Sequence, residues 1–428
     1  MGQRLLWALD RYRGESGALN CPALCRVEGP LHERTLRRAL AEVARAHSAL
    51  RTVFRVDRGL SQVVRPAPAP DDIPLEHLCC EGWPQAMPMV HDALRRRLDP
   101  LVSPWAATLI TCGANEHCLL INIHHLVTDL VGSTVLIEDL AACLSGTPGI
   151  EGGTDTAWDS VRVSQEAHAT QGSEAMNAQQ RYWYERLAGM QPIRTPLHPR
   201  RNDALGSTGL IEGTIDPGTR CRLDAIAERR GTTAFACLLG VLFATAHVQT
   251  GQRDLSVATL FSGRTSPSLR RTIAFLVNLL VLRVRLPGEG TYAHCVEQCQ
   301  RAIAGALQHA DLPFQLLSPP PPRMRVHDNA RVDDVVFHVV PEPIERTLPA
   351  GDCRLRIAVP EVVGRFDLEI AVRPSEDAYI VRITYNRGRL DDVEADRLLR
   401  GYLAMSRYVA SFPDSPLSRF ASPPADSD

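Results

Sequence analysis

The 428-residue sequence contains no lysine, so all 47 of its basic side chains are arginine. This absence excludes chemistry that needs a lysine amine, such as Schiff-base formation or a Ser-Lys pair. Any side-chain cation that contacts a phosphate or a carboxylate must therefore be an arginine or a protonated histidine.

The sequence also lacks a charge imbalance, a long apolar run and a signal-peptide pattern. Its net charge of −2 gives no general attraction to nucleic acid or to a membrane surface. No apolar run is long enough to span a bilayer, and the residues after Met1 do not resemble a signal peptide. We therefore predict a cytoplasmic protein, a monomer, with no nucleic-acid and no membrane partner. The twelve cysteines show no metal-ligand spacing, and we expect free thiols.

The length predicts two domains or one large two-lobed unit, because 428 residues exceed a single ordinary core. A hydrophobic content of 44% with 22% charged residues is typical of a globular protein. The stretch from 145 to 156 is rich in Gly, Thr and Ser and is expected to lead out of the first lobe. We divide the chain into a first lobe over 1–156, a linker over 157–178 and a second lobe over 179–428.

The stretch Ile121–Asp129 carries the strongest indication of chemistry. An apolar run that ends at Ile123 predicts a buried strand, and it delivers His124 and His125 into a tight turn closed by Asp129. Helical spacing of apolar residues predicts a helix that begins near Gly132 or Ser133. Histidine gains and loses a proton near neutral pH, so a fixed imidazole suits proton transfer or a placed hydrogen bond.

Two other interpretations of the histidines are open. A histidine near a strand end is commonly a satisfied core or surface residue. Histidine and aspartate are also metal ligands, but adjacent residues of a strand face opposite sides. His124 and His125 therefore do not easily reach one ion, and we expect no metal.

The stretch His124–Asp129 resembles the His-His-x-x-x-Asp-Gly signature of the condensation-domain superfamily of nonribosomal peptide synthetases. The resemblance runs from about residue 3 to residue 420, with its motifs in family order. The further matching stretches are Arg45 to Phe54, Ser262-Gly263-Arg264, Phe275 to Asn278 and His309 to Phe314.

This resemblance implies an α/β (α+β) fold of two chloramphenicol-acetyltransferase-like lobes, arranged in a V with a tunnel between them. It implies that His125 is the catalytic histidine, either as a general base or by positioning the reacting groups. His124 is then structural, and Asp129 pairs with Arg264 to hold the shape of the site. Removing one partner of such a buried pair costs roughly 3–5 kcal/mol because a buried charge is left unpaired.

The resemblance also implies residues that line the tunnel, and here the sequence departs from the family. The glycine that follows the motif aspartate is replaced by Leu130, and the next glycine is Gly132. Leu130 either narrows the path to His125 or points into the lobe while Gly132 takes over the open position. Asn278, in the Phe-Val-Asn motif, is expected at the tunnel floor.

Three functions follow from the resemblance. The first is a free-standing condensation enzyme that joins an acyl or aminoacyl thioester to an amine or hydroxyl acceptor. No bound cofactor is expected, because the substrate is carried on the phosphopantetheine of a separate acyl or peptidyl carrier protein. The second is a catalytically silent domain that docks a carrier protein or recruits a tailoring enzyme. The third is an acyltransferase that uses acyl-CoA.

Overall fold

The protein is described from a computed structural model over fourteen stretches of the chain. These are 3–4, 6–7, 11, 17, 19–57, 59–147, 159–170, 172–198, 207–288, 290–314, 317, 332–340, 346–358 and 364–420. Most of the stretch from 145 to 156, and the first two residues of the predicted linker, lie outside these residues.

The described chain contains both α-helices and β-strands. The α-helices are α1 (Glu33–Ala46), α2 (Trp83–Arg95), α3 (Leu130–Leu144), α4 (Ser160–Ala169), α5 (Glu174–Leu187), α6 (Pro217–Arg229), α7 (Ala234–Thr250), α8 (Tyr292–Gln308) and α9 (Asp392–Ser411). The strands are β1 (Asn20–Glu28), β2 (Thr52–Val56), β3 (Leu60–Val64), β4 (Leu75–Cys79), β5 (Trp105–Gly113), β6 (Glu116–His124), β7 (Thr208–Ile215), β8 (Asp254–Phe261), β9 (Asn278–Arg285), β10 (Val335–Val339), β11 (Thr347–Ala350), β12 (Cys353–Ala358), β13 (Leu368–Pro374) and β14 (Tyr379–Asn386).

The chain forms two compact units whose boundaries differ from the predicted division. Unit 1 comprises Met1–Ser173, Ser262–Val277 and Ile344–Val363, and unit 2 comprises the remaining three segments. The two later segments return to unit 1 because β12 pairs with β1 and because Arg264 pairs with Asp129. Sequence order alone placed both segments in the second lobe, since neither contact is local.

The predicted linker is also largely helical. Helix α4 occupies Ser160–Ala169 within it, and α5 begins at Glu174, before its end. The Ser160 hydroxyl lies 2.8 Å from the hydroxyl of Ser48, so α4 is hydrogen-bonded to the rest of unit 1.

Unit 1 is built on a six-stranded sheet in the order β11-β12-β1-β6-β5-β4, in which only the β4–β5 pair is parallel. One face packs against α1 and α3 through buried residues such as Leu40, Ile121 and Leu136. The opposite face packs against α2 through Val90 and Ile110. Because both faces are covered, the central strand β6 is buried along almost its whole length.

Unit 2 contains a second six-stranded sheet, in the order β7-β14-β13-β10-β8-β9. Its core surrounds α7, which is apolar on all sides and is buried from Ala236 to Ala246. Thr233 caps the N-terminus of α7, and Gly251 ends it in the left-handed conformation that glycine favours.

Among the described residues no single helix has the length and apolar character needed to cross a membrane. Helices α6 and α7 reach that length and composition only as a pair, which bends by 112° between them.

Candidate active site

The end of β6 places His125 in a turn whose backbone is fixed on both sides. Asn20 of β1 pairs with His124, and the His125 amide donates to the carbonyl of Leu19 at 2.8 Å, which extends the pairing by one residue. The Val127 amide then donates to the His124 carbonyl at 3.0 Å and closes the turn. The strand ladder therefore sets where the His125 side chain leaves the backbone.

Helix α3 begins at Leu130, so the predicted start near Gly132 or Ser133 is two to three residues too late. Asp129 is the N-cap, and its carboxylate accepts a hydrogen bond from the Gly132 amide at 2.9 Å. The predicted start followed the spacing of apolar residues that face the core. The first residue of the helix, Leu130, is exposed and does not belong to that spacing.

The His125 ring is held by its Nδ1 atom, which lies 2.7 Å from the carbonyl oxygen of Thr128. A carbonyl oxygen only accepts hydrogen bonds, so Nδ1 carries the proton. In the neutral ring the lone pair is then on Nε2. Phe275 meets the ring edge-to-face with the centroids 5.1 Å apart, and His125 is 8% exposed. The arrangement presents Nε2 as a hydrogen-bond or proton acceptor.

His124 has a different environment, as predicted for a structural residue. It is 1% exposed, and its Nδ1 accepts a hydrogen bond from the Leu126 amide at 3.1 Å. The proton of the neutral ring is therefore on Nε2, the opposite tautomer from His125. The two imidazoles bind separate backbone groups of one turn.

Asp129 and Arg264 form the predicted pair, in a two-pronged geometry. Both guanidinium Nη atoms lie 2.8 Å from the carboxylate oxygens of Asp129. The two side chains are 5% and 6% exposed. The carboxylate also accepts from the Leu276 amide at 3.2 Å, and Arg264 donates to the Thr272 carbonyl at 3.0 Å. These bonds tie the segment Ser262–Val277 to the N-terminus of α3.

The backbone conformation of the Ser-Gly-Arg motif requires a glycine at its second position. Gly263 has φ +68°, and a Cβ atom there would lie 2.3 Å from the carbonyl oxygen of Leu276. Any other residue would be strained and would clash. The tight approach lets the next residue, Arg264, reach Asp129.

A second ion-pair cluster fixes the middle of α3 to the same segment. Arg271 binds both Asp139 and Glu138, the latter at 2.6 Å. His47 lies 2.7 Å from the other oxygen of Asp139, and both of these side chains are buried. Segment Ser262–Val277 is therefore attached to α3 at two points, through Arg264 at the N-terminus of the helix and through Arg271 near its middle.

Of the two alternatives for Leu130, the structure contradicts the one in which Leu130 points into the lobe and Gly132 takes over the open position. Leu130 is 52% exposed, so it does not point into the core of unit 1. Gly132 is buried, and a Cβ atom there would lie 2.6 Å from the hydroxyl oxygen of Thr128 and 3.5 Å from the Cα of Ile273. The glycine is needed for packing and does not provide an open position for substrate.

Asn278 lies in unit 2, where its whole amide is used by the protein backbone. Its Nδ2 donates to the carbonyls of Ala310 and Leu312 at 2.9 and 2.8 Å, and its Oδ1 accepts from the Phe314 amide at 3.0 Å. This side chain therefore holds the loop that follows α8, and its place at the tunnel floor stays a prediction.

Sequence analysis missed two residues that touch His125, Cys21 and Phe275. The Cys21 sulfur lies 3.1 Å from Nδ1 of His125. Phe275 belongs to a recognised motif, but nothing in the sequence pairs its ring with a histidine 150 residues earlier. Only the register of β1 against β6 could have indicated Cys21.

Comparison with known proteins agrees with this architecture. The family model described as condensation domain matches residues 1–428. Surfactin synthase subunit 1 of Bacillus subtilis (strain 168) is 24% identical over 429 residues, which cover 98% of this chain and 12% of that protein. The chain likewise covers 8% of a linear gramicidin synthase of Brevibacillus parabrevis, so it spans about a tenth of the length of these relatives.

Two solved structures show the same fold. The complex of the X-domain and OxyB from teicoplanin biosynthesis contains a chain with a TM-score of 0.83 and 22% identity, covering 98% of this chain and 94% of that one. The starter condensation domain of rhizomide synthetase RzmA, solved as a mutant in complex with C8-CoA, has a TM-score of 0.82 and 16% identity, covering 98% and 96%. The predicted two-lobed α/β fold is confirmed.

Proposed function

Since the chain belongs to the condensation-domain family, we propose that it is an acyltransferase. It joins an acyl or aminoacyl thioester, carried on the phosphopantetheine of a carrier protein, to an amine or hydroxyl acceptor. The acceptor atom attacks the thioester carbonyl, the bond between carbon and sulfur breaks, and the thiol leaves with the proton that the acceptor loses.

His125 is the catalytic residue of this proposal, through its Nε2 atom. An amine attacks in its neutral form, so for an amine a hydrogen bond from the acceptor to Nε2 is enough to orient it. A hydroxyl loses its proton during attack, so for a hydroxyl the imidazole must act as a base. The same nitrogen can return the proton to the departing sulfur.

The observation that carries the proposal is the hydrogen bond between Nδ1 of His125 and the carbonyl of Thr128. It fixes the tautomer in which Nε2 is the acceptor, whichever role the imidazole takes.

The Asp129–Arg264 pair supports the same proposal, because it holds the turn that carries His125. Both charges are buried, pair with each other and bind backbone groups. Asp129 directly follows Thr128, whose carbonyl holds the His125 ring. Loss of the Asp129–Arg264 pair would therefore disturb the turn. No step of the reaction requires a metal, because a thioester is already activated toward attack.

Leu130 is the feature that sets this site apart from the family motif. An exposed leucine at the first position of α3 adds apolar surface where the motif has none. We propose that it restricts or redirects the acceptor and leaves the acyl-transfer step intact. The carrier protein is proposed to bind as a separate partner.

Two alternatives have specific support. A docking domain without catalytic activity fits the departure at Leu130 and the likeness to an X-domain solved in complex with OxyB. An acyl-CoA-dependent transferase fits the likeness to a starter condensation domain solved with C8-CoA.

A donor panel separates the three functions. The same acyl groups are presented on a purified carrier protein, on CoA and on free pantetheine, each with a set of small amines and alcohols. Product is measured by mass spectrometry for the wild type and for His125→Ala. Our proposal predicts His125-dependent product with the carrier-bound donor in excess over CoA. Product from CoA alone favours the second alternative, and carrier binding without any product favours the docking domain.

A further inference from the structure

A buried thiol lies against the imidazole of the candidate site. Cys21 is the second residue of β1 and pairs across the sheet with Ile123, two residues before His125. Its sulfur is 3.1 Å from Nδ1 of His125, and the residue is 5% exposed. The contact joins β1 to the turn that follows β6, and the two residues are 104 positions apart in the sequence.

The proton on Nδ1 decides what the thiol does there. The Thr128 carbonyl, at 2.7 Å, accepts the Nδ1 proton. Sulfur is a weak hydrogen-bond acceptor, so Cys21 receives a share of the same proton in a three-centred bond. A flip of the ring would replace N–H by C–H at both acceptors, and both bonds would be lost.

We propose that Cys21 is a positioning residue for His125. Together with the Thr128 carbonyl, its sulfur holds the Nδ1 proton and keeps Nε2 directed as the acceptor. This inference rests on the proposed function, because it names a residue that acts on the reaction through His125.

The neighbouring residue Cys25 provides a matched control. It lies on the same strand and the same face as Cys21, is fully buried, and packs in the core of unit 1. Burial raises the pKa of the Cys25 thiol to about 12, so it is an inert core thiol. A change at Cys25 perturbs packing on β1 without touching His125.

The test measures the ring itself and the reaction separately. Protein labelled with 15N-histidine is examined by NMR, and the His125 signals are assigned by their loss in His125→Gln. Cys21→Val keeps the volume but removes the acceptor, Cys21→Ser keeps an acceptor, and Cys25→Val is the control. Thermal unfolding shows whether each variant is folded.

In Cys21→Val we expect a larger Nε2–H fraction in the His125 ring and a kcat lower by about tenfold, with KM unchanged. Cys21→Ser should restore most of both, and Cys25→Val should match the wild type. Wild-type ring signals and kcat in Cys21→Val would overturn the inference, as would an equal ring change in Cys25→Val.

The two proposals fail in different ways. Suppose that the His125 ring signals change in Cys21→Val but His125→Gln still forms product at the wild-type rate. This result supports the contact and overturns the proposed function. A reaction that needs His125 but is unaffected by Cys21→Val, with an unchanged ring, supports the function and overturns the role of Cys21.

Discussion

Each unit contains a long strand that leads through a four-residue turn into a helix capped by an aspartate. In unit 1, β6 ends at His124 and Asp129 caps α3 by accepting from the Gly132 amide at 2.9 Å. In unit 2, β14 ends at Asn386 and Asp391 caps α9 by accepting from the Glu394 amide at 2.8 Å. In both units four residues separate the end of the strand from the aspartate that caps the helix.

The turns differ in what fills them. In unit 2 the turn contains Arg389, which is buried, binds Asp367 at 2.7 Å and donates to the His198 carbonyl at 2.6 Å. Asn386 also donates to Asp367, at 3.1 Å. In unit 1 the turn contains His125, whose Nδ1 proton goes to a carbonyl of the turn itself.

This comparison separates scaffold from chemistry. The strand, the turn and the aspartate N-cap recur in both units, so they are structural by themselves. The histidine, and an aspartate that binds an arginine in addition to capping, occur in the turn of unit 1. Each prediction below changes a residue in or beside one of the two turns.

The largest effect on stability is expected at Asp129. Asp129→Ala removes the N-cap and leaves Arg264 buried without its carboxylate, which costs roughly 3–5 kcal/mol of unfolding free energy. Arg264→Ala should cost a similar amount, and the double variant much less than the sum. Chemical denaturation of the four proteins measures the coupling. Additive losses would show that the pair does not act as a unit.

The turn of unit 2 should affect stability alone. Arg389→Ala removes the cation from two buried carboxylates, Asp367 and Asp334, at a cost of roughly 3 kcal/mol, while Asn386 still donates to Asp367. The kcat per folded molecule should stay at the wild-type value. A fall in kcat at temperatures where the variant is fully folded would contradict the distinction between the two turns.

Leu130→Gly should change the acceptor range with a small loss of stability. The side chain is half exposed, so the cost is about 1 kcal/mol or less, mainly the helix penalty of glycine. Rates with a panel of small and carrier-bound acceptors measure the range. Val393→Gly, at the exposed second position of α9, is the control and should lose similar stability with an unchanged panel. If Leu130→Gly and Val393→Gly use the same acceptors at the same relative rates, Leu130 has no role in substrate selection.

The smallest effect is expected at the edge of the second turn. The Tyr385 hydroxyl donates to Asp392 at 2.6 Å and, with Arg387, holds the pKa of Asp392 below its ordinary value of 3.8. A lowered pKa stabilises the folded state above pH 3.8 and ceases to do so as the pH falls through the folded-state value. Tyr385→Phe should therefore lower the Tm slightly at neutral pH, and the difference should shrink as the pH falls below 3.8. A Tm difference that is independent of pH would contradict this reason.

Local motifs predicted the parts of the site that are close in sequence or that belong to a known pattern. The strand that ends at His124 and the pairing of Asp129 with Arg264 follow from such motifs. The true start of α3 was also in the sequence, because aspartate is a preferred N-cap and Leu130 follows it.

Contacts set by strand register could not be predicted in this way. The approach of Cys21 to His125 requires β1 to lie beside β6 in one register, and a shift by one residue would turn the thiol to the other face. The role of Asn278 likewise depends on the loop after α8, which approaches it only in the folded unit. The return of β11 and β12 to unit 1 is a non-local pairing of the same kind.

The most direct test of the central claim is the rate of a single turnover with and without the imidazole. The wild type, His125→Ala and Arg389→Ala are each mixed in excess with a donor thioester on its carrier protein and an amine acceptor that the wild type uses. We predict that His125→Ala keeps the melting temperature of the wild type but forms product at least a hundredfold more slowly. Arg389→Ala should melt lower and react at the wild-type rate. A folded His125→Ala protein that forms product at the wild-type rate would contradict the account.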